Sequence, residues 1–201
     1  QNPDLDLPDL PITVVHRSDK SGTTLNLLEY LKATAGKDWP YQLSENWPND
    51  VGQGAKGTSG VVSTIKQANG TIGYADFSQV GDLGTIAVKV GDDYTPISAD
   101  AASKVIADSP VDTSVDGDNR IVIDINHKTA ATGAYPIVLV SYDIVCPAYK
   151  ESNDATFAKA WLTYVTSAEG QKAAQDAAGT APLPSNLTGK ITASIDQIKV
   201  G

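Results

Sequence analysis

A single cysteine among 201 residues, Cys146, excludes an internal disulfide, so bridge spacing carries no information on the compartment. Cys146 follows the apolar stretch ending at Val145 and is expected to be a small buried residue rather than a catalytic thiol. Long apolar runs are absent as well. The longest, Ile137 to Val140 with Ile144 and Val145 beyond Ser141, Tyr142 and Asp143, is far too short to cross a bilayer, so no membrane helix is expected. The residues from Gln1 onward carry neither a charged n-region nor an apolar h-region, which places any secretion signal or lipid anchor upstream. There is no internal repeat and no low-complexity tract. Basic charge is sparse, with 15 Lys and Arg against 24 Asp and Glu for a net charge of -9, and no basic patch interrupts it. That balance argues against nucleic acid and anionic lipid as partners. It leaves small anions open, because hydrogen-bond donors in contact with a ligand outweigh charges more than a Debye length away.

The remaining composition, 41% hydrophobic and 19% charged, is that of a soluble globular protein, long enough for one large domain or two small ones. Residues 1–11, rich in Pro, Asp and Leu without a period, read as an extended leading segment. The β-branched run Ile12 to Val15 predicts a short strand, and Leu27, Leu28 and Leu31 predict one face of a helix after it. A long loop is expected from Lys37 to Gly60, then a helix capped by Thr58 or Ser59 and stopped at Asn69 and Gly70. Strands are expected over 71–77 and 86–90, a helix over 98–106, and strands at Ile121 to Ile125 and, as a buried one, Tyr135 to Val145. Further helical patterns run through Phe157, Ala160, Trp161, Tyr164 and Val165, then through Ala173, Ala174, Ala177 and Ala178. The last helix follows Pro184 and buries Leu187, Ile191, Ile195 and Ile198. Strands and helices interleave throughout, so the fold class is α/β.

One segment joins the residue types of an anion site to a strand-to-helix turn: Arg17, Ser18, Asp19, Lys20, Ser21, Gly22, Thr23 and Thr24. A helix start offers unpaired N–H groups and a partial positive charge. Ser21 and Thr23 add hydroxyls, and Gly22 lets the backbone approach a ligand closely. Arg17 brings a planar guanidinium able to hold two oxygens at once, with Asp19 to orient it. Ordinary helix capping and a surface Arg–Asp pair account for the same residues, and the turn alone leaves both accounts open.

Arg17-Ser18-Asp19-Lys20-Ser21-Gly22-Thr23 resembles the R-x-D-G-S-G-T signature of the phosphate-binding proteins that serve ATP-driven phosphate importers. Three further pieces agree in order: Gly57 to Gly60 opening a helix, Gly70-Thr71-Ile72-Gly73-Tyr74 as the next strand, and Tyr135-Pro136-Ile137 starting the strand that returns to the other lobe. The resemblance covers almost the whole chain. It implies a two-lobed α/β fold of the type II periplasmic-binding-protein kind, present as an incomplete C-terminal portion, with 1–135 most of the second lobe and 136–201 the C-terminal part of the first. It implies an extracytoplasmic receptor that binds inorganic phosphate through Arg17, Ser21, Gly22 and Thr23, with Asp19 paired to Arg17. No cofactor and no bond-making step belong to that function. Delivery to the permease subunits of an ABC transporter does, with membrane attachment only through an upstream lipid anchor.

Two departures from the family pattern have consequences. Lys20 replaces the motif's usual Gly; it is expected to be solvated, and costs on the order of 1 kcal/mol only if its φ is positive. The family's N-terminal lobe, with its proton-accepting carboxylate, has no counterpart before Gln1, so weak and poorly selective anion binding is expected. Other functions rest on less. A phosphate-ester or acyl hydrolase could use Ser21, or Ser59, with His16 or His127 as base, yet no G-x-S-x-G elbow is present. Asp92 with Asp93, and Asp112, Asp116 and Asp118, lack calcium-loop spacing and read as solvated turns. A non-catalytic adhesion module would rest only on Trp39, Trp47 and the long loop, aromatics expected to seal a core.

Overall fold

Thr13, Val14 and Val15 do form a strand in the computed structural model, which describes residues 4–114, 116–117 and 119–201. The chain divides between Leu83 and Gly84 into two compact units. In the first, β1 (Thr13–Arg17) lies between two parallel neighbours, β2 (Gln53–Ala55) and β3 (Thr71–Gly73), with Val15 opposite both Gln53 and Gly73. Parallel neighbours require crossovers. The helix α1 (Gly22–Thr34) precedes β2 and α2 (Gly57–Gln67) precedes β3. Val15, Leu28 and Val61 are fully buried, the centre of this unit's core. On α1 only Leu28 of the three expected leucines is buried outright, beside Thr24 and Asn26.

Within the expected loop, Gln53–Ala55 pairs with β1 despite having no β-branched residue. Gly52, at φ +100°, brings the chain in so close that a Cβ there would run into the Val14 carbonyl oxygen. The strand expected over 71–77 is shorter, ending at Gly73.

The second unit begins with a hairpin of β4 (Val88–Val90) and β5 (Asp93–Thr95), so Asp92 sits in an exposed turn as expected. Then α3 (Ala99–Ala107), capped by Ser98, buries Ala101 and Val105. The C-terminal part holds β6 (Ala148–Tyr149), α4 (Ser152–Thr166), α5 (Ala168–Ala178), α6 (Ser185–Asp196) and β7 (Lys199–Val200), with β6 and β7 parallel. Leu187, Ile195 and Ile198 are buried and Ile191 packs beside them, the face expected of the last helix.

Three expectations fail here, those for two strands and for Cys146. Ile121 to Ile125 makes only an isolated bridge, Val111 to Ile123, and Tyr135 to Val145 is no strand: Leu139, Tyr142 and Ile144 are exposed, Ile144 at 94%. β-branched composition favours a strand only where another strand completes the ladder, and among the described residues none does. Cys146, at the end of this segment, is correspondingly exposed. On α4 the buried side is Ala155, Ala158 and Leu162, while Phe157, Trp161 and Tyr164 face outward. Ala155 and Leu162 of that side pack with Ile195 and Ile198 in the core of this part. Of the α5 alanines, Ala173, Ala177 and Ala178 are exposed and only Ala174 is half-buried.

The sheet–helix contact of the first unit depends on Gly73. A Cβ there would lie 2.7 Å from the Val15 carbonyl oxygen and 2.8 Å from Ile65 Cδ1. Gly73→Ala is therefore expected to lower stability by about 1–3 kcal/mol, through a shift of α2 off the sheet, measured by denaturant unfolding.

Candidate anion-binding site

The site is built where β1 ends and α1 begins. Ser21 is the N-cap of α1, with extended backbone (φ −151°, ψ 129°), and its Oγ accepts from the Thr23 N–H at 3.2 Å. The two hydroxyls share a hydrogen bond, Ser21 Oγ to Thr23 Oγ1, of 2.6 Å. The Ser21 N–H is already used, donating to the Glu45 carbonyl at 3.0 Å. Gly22 is the open position: it is exposed, a Cβ there would meet nothing within 4 Å, and its N–H has no acceptor among the described residues. No acidic side chain lies in the first turn of α1, so the positive end of its dipole is left uncompensated within the helix.

Arg17, with a side chain only 13% exposed, is held in a fixed orientation. Its Nε donates to Asp19 Oδ1 at 2.8 Å and its Nη2 to Asp19 Oδ2 at 2.5 Å, while Nη1 donates to Thr23 Oγ1 at 3.4 Å. A guanidinium has five N–H donors, so one on each terminal nitrogen remains for a ligand. The structure therefore brings Arg17, Ser21, Gly22 and Thr23 together in one turn and pairs Asp19 with Arg17, the arrangement expected of them.

Asp19 does more than orient Arg17. Its Oδ1 also accepts the Gly57 N–H at 2.9 Å, so this carboxylate, and neither Thr58 nor Ser59, closes the start of α2; the N-cap position, Lys56, makes no side-chain cap. The Arg17 hydrogen bonds first, and the Gly57 N–H second, hold the Asp19 carboxyl far below the usual carboxylate range. The same hydrogen bond raises Arg17 further above its ordinary value. Lys20 is exposed, and no described residue other than glycine has positive φ, so lysine in place of the motif's glycine costs no backbone strain.

Sequence reasoning passed over two neighbours. The Tyr74 hydroxyl accepts from the Arg17 N–H at 3.2 Å and shares a 2.5 Å hydrogen bond with Thr24 Oγ1. Trp47 stacks on both His16 (5.1 Å, 11°) and Tyr74 (6.1 Å, 23°), with Trp39 tilted against it at 5.7 Å. The glycine-rich stretch ending at Tyr74 marked the place, but nothing in the sequence pointed its side chain at the turn.

Among the described residues no hydrogen bond joins Ser21 Oγ to a histidine. His16 turns Nδ1 to the Arg17 carbonyl and its ring to Trp47, and His127 turns Nδ1 to the Pro136 carbonyl at 2.9 Å. Asp112 accepts from the Ser114 N–H and hydroxyl as a turn, and Asp118 lies outside the described residues. Among the described residues no group of three or more His, Cys, Asp or Glu is placed to hold a metal ion, and no helix is long and apolar enough to cross a membrane.

The low pKa of Asp19 sets the pH dependence. As pH falls, the unfolded chain takes up the Asp19 proton first, near its ordinary value of about 4, while the folded protein still excludes it. The stabilisation by Asp19 is thus complete above that value and is lost as acidification proceeds toward the folded pKa. Wild type is expected to exceed Asp19→Ala in denaturant midpoint by a constant margin at neutral pH, and that margin is expected to shrink below about pH 4.

Comparison with known proteins gives these features a context. A family profile described as the PBP superfamily domain matches residues 1–169. The chain is 32% identical over 203 residues to the phosphate-binding protein PstS2 of Mycobacterium bovis, covering 98% of this chain and 54% of that protein. It is 34% identical over 206 residues to the phosphate-binding protein PstS of Xylella fastidiosa, covering 96% and 52%. The chain thus spans about half the length of the curated relatives it matches. Among solved structures, a high-affinity periplasmic phosphate-binding protein, PfluDING, bound with phosphate, superposes with a TM-score of 0.68 at 20% identity, over 92% of this chain and 57% of that one. A human phosphate-binding apolipoprotein gives 0.62 at 19%, over 92% and 58%. With the family profile covering most of its length, the α/β chain belongs to the PBP superfamily.

Proposed function

We propose that the chain is the oxyanion-gripping portion of an extracytoplasmic phosphate receptor that hands inorganic phosphate to the permease subunits of an ABC transporter, without catalysing a reaction. The observation that carries this reading is the Arg17 guanidinium, held by Asp19 beside the open Gly22 N–H with two donors to spare. Phosphate oxygens would be shared among Arg17, the Ser21 and Thr23 hydroxyls and the Gly22 N–H. The names of its relatives, all phosphate-binding proteins, favour phosphate as the oxyanion. By analogy with the same family, residues 1–135 make up most of one lobe and 136–201 part of the other. That is a functional division distinct from the compact units that meet at Leu83 and Gly84.

A titration with inorganic phosphate followed by amide NMR tests the site. Gly22 and Thr23 are expected to shift on addition of phosphate, and Arg17→Ala is expected to weaken binding at least about tenfold, the scale of one charge-assisted hydrogen bond. Gly22→Ala separates site from scaffold: its methyl group meets no protein atom, so unfolding stability is expected to hold while binding falls. Phosphate shifts that persist in both variants would place the anion elsewhere and remove this reading. Sulfate is expected to compete at comparable concentration.

A further inference from the structure

We propose that Tyr74 is a positioning residue for the anion site: its hydroxyl ties the end of β1 to the first turn of α1 and so fixes the distance between the Arg17 guanidinium and the helix-start donors. The role rests on three placements. Tyr74 follows β3 directly, so its backbone is anchored by the ladder that pairs Thr71 to Gly73 with Thr13 to Val15. Its hydroxyl then reaches both sides of the turn, accepting from the Arg17 N–H at 3.2 Å and sharing a 2.5 Å hydrogen bond with Thr24 Oγ1. Having accepted from an N–H, the phenol has its own proton to give to Thr24. Thr24 is fully buried, so its hydroxyl has no water to exchange for this partner.

The ring is held as firmly as the hydroxyl. Trp47 stacks on both Tyr74 and His16, and the loop that carries Trp47 is pinned to the same turn where the Glu45 carbonyl accepts the Ser21 N–H at 3.0 Å. Tyr74 thereby couples β1, α1 and the loop around Trp47, at the backbone of Arg17 on one side and one residue from Thr23 on the other. It touches none of the atoms assigned to the anion except through the Arg17 backbone and the Thr24 neighbour of Thr23.

The proposal deepens the phosphate reading, and the test keeps the two apart. In ligand-free protein, the Arg17 Nε–H resonance reports the Asp19 bond directly. Tyr74→Phe is expected to speed its hydrogen exchange about tenfold, with Thr24→Val acting in the same direction, the double variant no worse than either single one, and Thr24→Ser close to wild type. Under conditions where all variants are folded, phosphate affinity is expected to fall several-fold in Tyr74→Phe and Thr24→Val and to stay near wild type in Thr24→Ser. Unchanged Nε–H exchange in Tyr74→Phe overturns the proposal, as does unchanged affinity in a protein that binds phosphate. If wild type gives no phosphate response, the phosphate reading falls, and the exchange measurement still decides the role of Tyr74.

Discussion

The carboxylate of Asp19 ties the end of β1 to the start of α2 through the turn that leads into α1. One oxygen pair holds Arg17 at the end of β1, and the same Oδ1 receives the first N–H of α2, thirty-eight residues on. The arrangement changes what the cation can do. An Arg–Asp pair is close to neutral as a unit, so under the proposed function the attraction of this turn for an anion would not come from net charge. It would come from donors whose positions are fixed in advance: the spare guanidinium N–H groups, the Gly22 N–H and the start of the α1 dipole. A protein carrying a net charge of -9 can hold an oxyanion on these terms, since contact donors act within a few ångströms while the surface carboxylates are screened.

Much of the local structure was legible in the chain because its causes are local. The β-branched run before Arg17, the helix start after it, the helix of residues 98–106 and the apolar spacing of α6 each need only a few neighbouring residues to be understood. Sheet membership does not. Gln53, Gly54 and Ala55 have poor strand propensity yet pair with β1, because Gly52 permits the close approach and β3 pairs only the other side of β1. Tyr135 to Val145 has the composition of a strand and lacks the neighbour. The α4 helix illustrates a different limit: its sequence offers two apolar stripes at helical spacing, and periodicity alone does not say that Ala155, Ala158 and Leu162, and not Phe157, Trp161 and Tyr164, face the core.

At the site the same contrast holds. Arg17 and Asp19 lie two residues apart on one turn, so their pairing could be reasoned from the sequence. The second bond of Asp19, to Gly57, and both bonds of Tyr74 depend on how β2 and β3 line up beside β1, and that register is a property of the folded sheet. The aromatic residues were expected to seal a core. Trp47 instead stacks beside the turn, where it braces Tyr74 and His16.

The saturation of Asp19 bears on selectivity. In the proposed grip every other side-chain or N–H group turned to the anion is a donor or a hydroxyl, and the one carboxylate faces Arg17 and Gly57 with its pKa driven down. A carboxylate so engaged is a poor acceptor for a proton carried on a bound oxyanion. Hydrogen phosphate and sulfate have the same tetrahedral outline and the same charge of two, and differ chiefly in whether one oxygen bears a proton that must be accepted. A wall of donors and neutral hydroxyls discriminates weakly, because strong discrimination needs a charged acceptor that rewards the proton and penalises its absence. The Asp19 knot that would make the turn a rigid grip therefore also removes its only carboxylate from that task. Selection of phosphate, in a receptor built on this turn, has to come from an acceptor on a different part of the protein.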